Sequence, residues 1–84
     1  MAFQLLITKK AERSLDRLPE SYQIRIRDAM RSILSDPYSG KKLSGNKKGQ
    51  YSVRVWPYRI IYMVVKRELI VVVIDVGHRQ GVYE

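Results

Sequence analysis

The chain has 84 residues, sixteen Lys and Arg against eight Asp and Glu for a net charge of +8, one histidine and no cysteine. A chain this short makes one small domain burying roughly 60 % of its unfolded surface, room for one sheet under one layer of helices but little for an enclosed pocket. Disulfides, thiolate metal ligands and a zinc site on the lone His78 are excluded, and so much excess cation asks for a polyanionic partner.

In chain order, Phe3 to Ile7 is a short apolar run that reads as a buried strand. It is too short for the core of a signal peptide and no basic segment precedes it, so a cytoplasmic location is expected. Thr8 can cap a helix through its hydroxyl. Ala11, Leu15 and Leu18 then recur at helical spacing, predicting a first helix from about Lys9 to Leu18. Pro19 interrupts it and suits the first position of a second helix. In that helix Tyr22, Ile26, Ala29, Met30, Ile33 and Leu34 form one apolar stripe. Asp36-Pro37 stops it, because the residue before proline avoids the helical region. The two helices should form an antiparallel hairpin over one face of a sheet.

Tyr38 to Gly49 reads as a loop, with Leu43 as its apolar anchor and four lysines, Lys41, Lys42, Lys47 and Lys48. Beside an RNA surface these would contact phosphates. A strand follows in which Tyr51, Val53 and Val55 point one way and Ser52, Arg54 and Trp56 the other. Pro57 breaks the ladder near a turn, and Arg59 to Val65 forms the next strand. After the polar turn Lys66-Arg67-Glu68, Leu69 to Val76 is almost continuously apolar, as expected of a central strand buried on both faces. The longest apolar run, Leu69 to Ile74, is far short of a membrane span. Gly77 ends the strand and a short tail follows. The expected class is α+β: an N-terminal strand, an antiparallel helical hairpin and a three-stranded antiparallel meander, in one domain over residues 1–84 with no repeat or linker.

No metal-ligand cluster, glycine-rich phosphate loop or Ser-His-Asp arrangement is visible, and no cofactor is expected. What remains is a set of strand-end residues that two hairpins bring together: Arg54, Arg59, His78, Arg79 and Tyr83. Three guanidiniums around one concavity repel one another unless an anion sits between them, and the planar fork of arginine binds phosphate oxygens through two hydrogen bonds. Trp56 could stack an unpaired base. Tyr51 and Tyr62 read better as core or rim residues. His78 after a strand reads first as a structural hydrogen-bonder.

The segment from Tyr51 through Arg54, Trp56-Pro57 and Arg59 to Tyr62 resembles the central hairpin of RelE/ParE superfamily toxins, and Val76-Gly77-His78-Arg79 through Tyr83 is similar to their C-terminal signature. The resemblance covers the whole chain. It implies a ribosome-dependent, metal-independent endoribonuclease that cuts messenger RNA in the ribosomal A site by attack of the ribose 2′-hydroxyl on the adjacent phosphate. It implies catalytic roles for Arg54, Arg59, Arg79 and Tyr83. Beside them, the charge of Lys41, Lys42, Lys47 and Lys48 and the rings of Trp56 and His78 make these the expected RNA contacts. The partners implied are the ribosome, messenger RNA and an acidic, RelB-like antitoxin. The chain departs from the family pattern at Ser52, where a lysine is expected, and at Arg54, which stands in place of a second lysine. Arginine is too weak an acid to move protons near neutral pH, so Tyr83, His78, a loop lysine or ribosomal RNA must do so. Two other readings are a ParE-type inhibitor of DNA gyrase, against which Arg59, Arg79 and Tyr83 together argue, and a non-catalytic basic RNA-binding module.

Overall fold

The computed structural model describes residues 2–47 and 49–78. Strand β1 (Gln4–Ile7) leads into Thr8, whose extended backbone lets its hydroxyl oxygen accept from the Ala11 N–H at 3.1 Å, the cap expected for α1 (Lys9–Asp16). The same hydroxyl donates to the Ile74 carbonyl at 3.0 Å, so the helix start is pinned to the sheet. Helix α1 stops before the expected Leu18, because Arg17 and Leu18 close a tighter turn with N–H bonds to the Ser14 and Leu15 carbonyls. Pro19 is the extended N-cap of α2 (Glu20–Ser35), not its first helical residue. The apolar stripe behaves as its spacing predicts: Ile26, Met30 and Ile33 are buried, with Ala29 and Leu34 packed beside them.

The class is α+β as expected, but the sheet has five strands in the order β1-β5-β4-β3-β2. Beyond β1 they are β2 (Lys41–Lys42), β3 (Gln50–Val55), β4 (Tyr58–Val65) and β5 (Ile70–His78). Strand β1 runs parallel to β5, and every other neighbouring pair is antiparallel. Three expectations are corrected here. The loop from Tyr38 to Gly49 contains β2, which two adjacent lysines could not announce because pairing with Tyr51 and Ser52 makes the strand, not propensity. The strand buried on both faces is β4, in the middle of the five, where Arg59, Ile60, Ile61 and Tyr62 are all buried. On β5 the short neighbour β1 leaves Ile70, Val72 and Ile74 half-covered, and the strand continues past Val76 through Gly77 and His78.

A bulge explains the unbroken hydrophobicity of β5. Ile61 lies opposite Asp75 but Tyr62 opposite Val73, so Ile74 is an extra residue. The shift lets Val71, Val73 and Val76 all face the helices, and all are buried. Leu69, read as the first residue of this strand, instead takes the left-handed conformation (φ 55°, ψ 49°) that closes the turn after Lys66–Glu68. Both helices cover one face of the sheet, and among the described residues the other face carries no helix.

Candidate functional site

Alternation along β3 sends Tyr51, Val53 and Val55 to the helix-covered side, where they join the core, and Ser52 and Arg54 to the other. The chain reverses through Trp56-Pro57, joined by a cis peptide bond, and β4 pairs back. The register sets Arg54 directly opposite Arg59, and Arg59 directly opposite Gly77 of β5. Directly opposed residues share a face with Cβ atoms about 5 Å apart. Two guanidinium side chains therefore rise together from the helix-free face, beside a position on β5 that contributes no side chain. Like charges so placed destabilise the pair unless an anion lies between them.

Arg59 departs from what the sequence suggested. It is the second residue of β4 with a neighbouring strand on each side, and only 9 % of it is exposed, so it is not an exposed strand-end side chain. Arg54 on the outer strand is exposed. One member of the pair is thus held by its surroundings while the other reaches solvent.

Next to this pair lies the Ser52 row. Lys41 on β2 is directly opposite Ser52, which places Lys41 on the arginine face, whereas Lys42 is opposite Tyr51 and belongs to the other side. A buried tyrosine fixes β2. The Tyr62 hydroxyl donates to the Pro37 carbonyl at 2.8 Å and accepts from the Gly40 N–H at 3.2 Å, tying the chain after α2 to the middle strand. Burial pushes the Tyr62 phenol above its ordinary pKa, the Gly40 hydrogen bond pulling the other way and the Tyr51 and Asp36 charges adding a smaller upward push. A Cβ on Gly40 would lie 2.5 Å from the Tyr62 hydroxyl and 3.0 Å from the Ser52 carbonyl oxygen, so the fit leaves no space for a side chain.

The remaining candidates are scattered. His78 is directly opposite Tyr58 and meets its ring edge-on at 6.1 Å, and Tyr58 meets Tyr22 of α2 at 5.2 Å. His78 therefore stands on the helix-covered side, not among the arginines, because it is one residue beyond Gly77 and alternation turns it over. Trp56, at the hairpin tip, is 55 % exposed. Tyr51 and Tyr62 stack at 5.5 Å in the core, as the sequence suggested. Lys47 lies in a short helical turn (Gly45–Lys47) before β3. A hollow of about 450 Å³ beneath this loop is bounded by Lys42, Leu43 and Tyr51 among others and holds neither arginine. Lys48, Arg79 and Tyr83 lie outside the described residues. Two contributors escaped the sequence reading: Lys41 as a strand residue in register with Ser52, and Gly77 as a neighbour of Arg59 instead of a strand end. A glycine inside an apolar strand is a known mark of close approach, and that signal was available for Gly77.

A paired cationic row on a helix-free face can bind a phosphodiester and stabilise added negative charge on it. Comparison with known proteins gives the fold a family. The family model of the ParE toxin of type II toxin–antitoxin systems matches residues 5–83. The chain belongs to the RelE/ParE superfamily of type II toxin–antitoxin toxins. Among solved structures it is similar to a chain of the RelBE2 toxin–antitoxin complex of Mycobacterium tuberculosis, with a TM-score of 0.87, 26 % identity and coverage of 94 % of this chain and 100 % of that one. It is similar to a double arginine-to-alanine mutant of E. coli RelE in complex with a RelB antitoxin peptide, with a TM-score of 0.80, 26 % identity and coverage of 99 % and 92 %. The YoeB/ParE toxin of Agrobacterium tumefaciens shares the fold, with a TM-score of 0.81, 21 % identity and coverage of 92 % and 99 %. A search of curated protein sequences finds no significant match. The toxin therefore has the RelE-like fold that its hairpin and tail motifs suggested.

Proposed function

We propose that this toxin is a cytoplasmic, metal-independent endoribonuclease that cleaves messenger RNA in the ribosomal A site. The Arg54–Arg59 pair carries the reading, since two cations directly opposed on one face of the sheet, with Gly77 the next residue across from Arg59, suit an extended phosphodiester. In the reaction the ribose 2′-oxygen attacks phosphorus and gives up its proton. The bond to the 5′-oxygen then breaks, its electron pair stays on that oxygen, and a proton joins it. The products are a cyclic phosphate and a 5′-hydroxyl end. Arg59 and Arg79 stabilise the charge gathered on the phosphoryl oxygens, an effect of about 3 kcal/mol for each preorganised donor, and Arg54 orients the phosphate. Tyr83 takes the 2′-proton. Lys47, Lys48 and Trp56 contact RNA beyond the scissile phosphate. An acidic, RelB-like antitoxin silences the toxin by covering the cationic row.

The matching family model bears the ParE name, which favours inhibition of DNA gyrase as a second reading. Primer extension on translated messages after brief induction separates the two. The nuclease produces reverse-transcriptase stops within codons of translated frames; a gyrase inhibitor leaves messages intact and gives DNA breaks.

A further inference from the structure

Neither arginine can serve as the acid that protonates the departing 5′-oxygen, because a guanidinium holds its proton at any physiological pH. A lysine ammonium can give one up. The strand register decides which lysine is in place. Lys41 is directly across from Ser52, and Ser52 is two residues from Arg54 on the same face. With paired strands about 5 Å apart and successive same-face residues about 6.8 Å apart, the Cα atoms of Lys41 and Arg54 are separated by roughly 8 Å, so both long side chains can meet one phosphate. Ser52 is small and only 3 % exposed, so it puts no bulky side chain in the row between them. The other described lysines lie elsewhere: Lys42 is on the opposite side, Lys9 opens α1, Lys10 is drawn to Asp75 at 3.3 Å, Lys47 ends the helical turn before β3 and is not in a strand, and Lys66 follows the far end of β4.

The backbone carrying Lys41 is held firmly although β2 is only two residues long. Gly40, immediately before it, donates to the Tyr62 hydroxyl, and the absence of a side chain there lets the chain approach both Tyr62 and the Ser52 carbonyl. The Lys41 side chain itself is exposed, as a group that must reach a bound strand requires.

We infer that Lys41 is the general acid of the cleavage reaction, delivered to the scissile phosphate by its register opposite Ser52. The inference rests on the nuclease reading above. As the P–O5′ bond breaks, its electron pair stays on the 5′-oxygen, the Lys41 ammonium transfers a proton there, and solvent reprotonates the neutral amine. Tyr62 is a positioning residue that acts through the Gly40 backbone.

The test is single-turnover cleavage on programmed ribosomes by wild type, Lys41→Ala and Lys41→Arg. Each is given an ordinary message and one whose scissile 5′-oxygen is replaced by sulfur, a leaving group that departs without a proton. Lys41→Ala is expected to slow cleavage of the ordinary message about 100-fold, and of the sulfur-substituted message less than about 10-fold. Lys41→Arg should be as slow as Lys41→Ala on the ordinary message, since it restores charge but not a transferable proton. Equal losses on both messages, recovery in Lys41→Arg, or a wild-type rate in Lys41→Ala would each overturn the assignment while leaving the nuclease reading intact. No cleavage by the wild type removes both.

Discussion

Arg54 and Arg59 face each other directly across the β3–β4 hairpin, one exposed and the other 9 % exposed. Their unequal surroundings separate two effects of mutation that the sequence alone would merge. Arg59→Ala and Arg54→Ala should each slow cleavage, Arg59→Ala by about 10² to 10³ as a preorganised donor and Arg54→Ala by less. Only Arg59→Ala should also lower stability, by about 1 to 2 kcal/mol, since truncating a buried side chain leaves its stem unpacked. Thermal melts run beside single-turnover rates check both halves, and equal melting temperatures for the two variants would show that Arg59 is not held as described.

The row should also appear in the salt dependence of RNA binding. Each cation that neutralises a phosphate of a single strand contributes a slope of about 0.7 in log K against log salt. Arg54→Ala, Arg59→Ala and Lys41→Ala should each flatten the slope by about that amount with a non-cleavable single-stranded RNA. Arg67→Ala, in the turn at the other end of β4, should leave it unchanged. Fluorescence anisotropy titrations across a range of salt concentrations measure this.

Much of this arrangement was legible in the sequence and some of it was not. The Thr8 cap, the stripe of α2 and the alternation along β3 follow from local periodicity and capping chemistry, so the cap, the buried stripe and the two faces of β3 were readable. That same alternation put Ser52 and Arg54 on one face. Local signals could not show that two lysines would form a strand, since Lys41 and Lys42 owe that to a backbone partner and to the Tyr62 hydroxyl, both distant in the chain. Nor could they give the parallel pairing of β1 with β5, or the single-residue bulge at Ile74 that keeps three valines on the helix side. His78 was misplaced for the same kind of reason, because one residue along a strand reverses its face.

The Tyr62 clamp gives a stability prediction with a pH signature. Tyr62→Phe removes the partner of both the Gly40 N–H and the Pro37 carbonyl and should cost about 1 to 3 kcal/mol. Gly40→Ala should cost at least as much, because the methyl group would collide with the Tyr62 hydroxyl. Burial raises the Tyr62 phenol above 10.0, so the folded state keeps its proton where the unfolded state has lost it. That contribution to stability is complete below the unfolded value and is lost as pH climbs through the folded one. The fall in melting temperature between about pH 9 and about pH 11 should therefore be smaller in Tyr62→Phe than in wild type. An unchanged alkaline fall would mean that Tyr62 is not the group titrating there.

Lys41 and Ser52 occupy one row, so a lysine introduced at the second position should replace one lost from the first. Ser52→Lys is expected to restore much of the rate of Lys41→Ala, yet to change the wild-type rate little or slow it by crowding Arg54 with like charge. Because Ser52 is 3 % exposed, the substitution should also lower the melting temperature, and rates must be compared under conditions where every variant is folded. Failure of the double variant to exceed Lys41→Ala would separate the two positions chemically.

Chemical analysis of the ends left on a programmed message reaches the central claim most directly. Purified toxin is mixed with ribosomes holding a defined codon in the A site, and the message is recovered and its termini identified. The nuclease reading predicts one cut in that codon, a 2′,3′-cyclic phosphate on the upstream fragment and a 5′-hydroxyl on the downstream one, with the yield falling about 10² to 10³-fold in Arg59→Ala. An intact message at toxin concentrations that arrest growth, or a cut whose ends and yield are the same in Arg59→Ala, would contradict it.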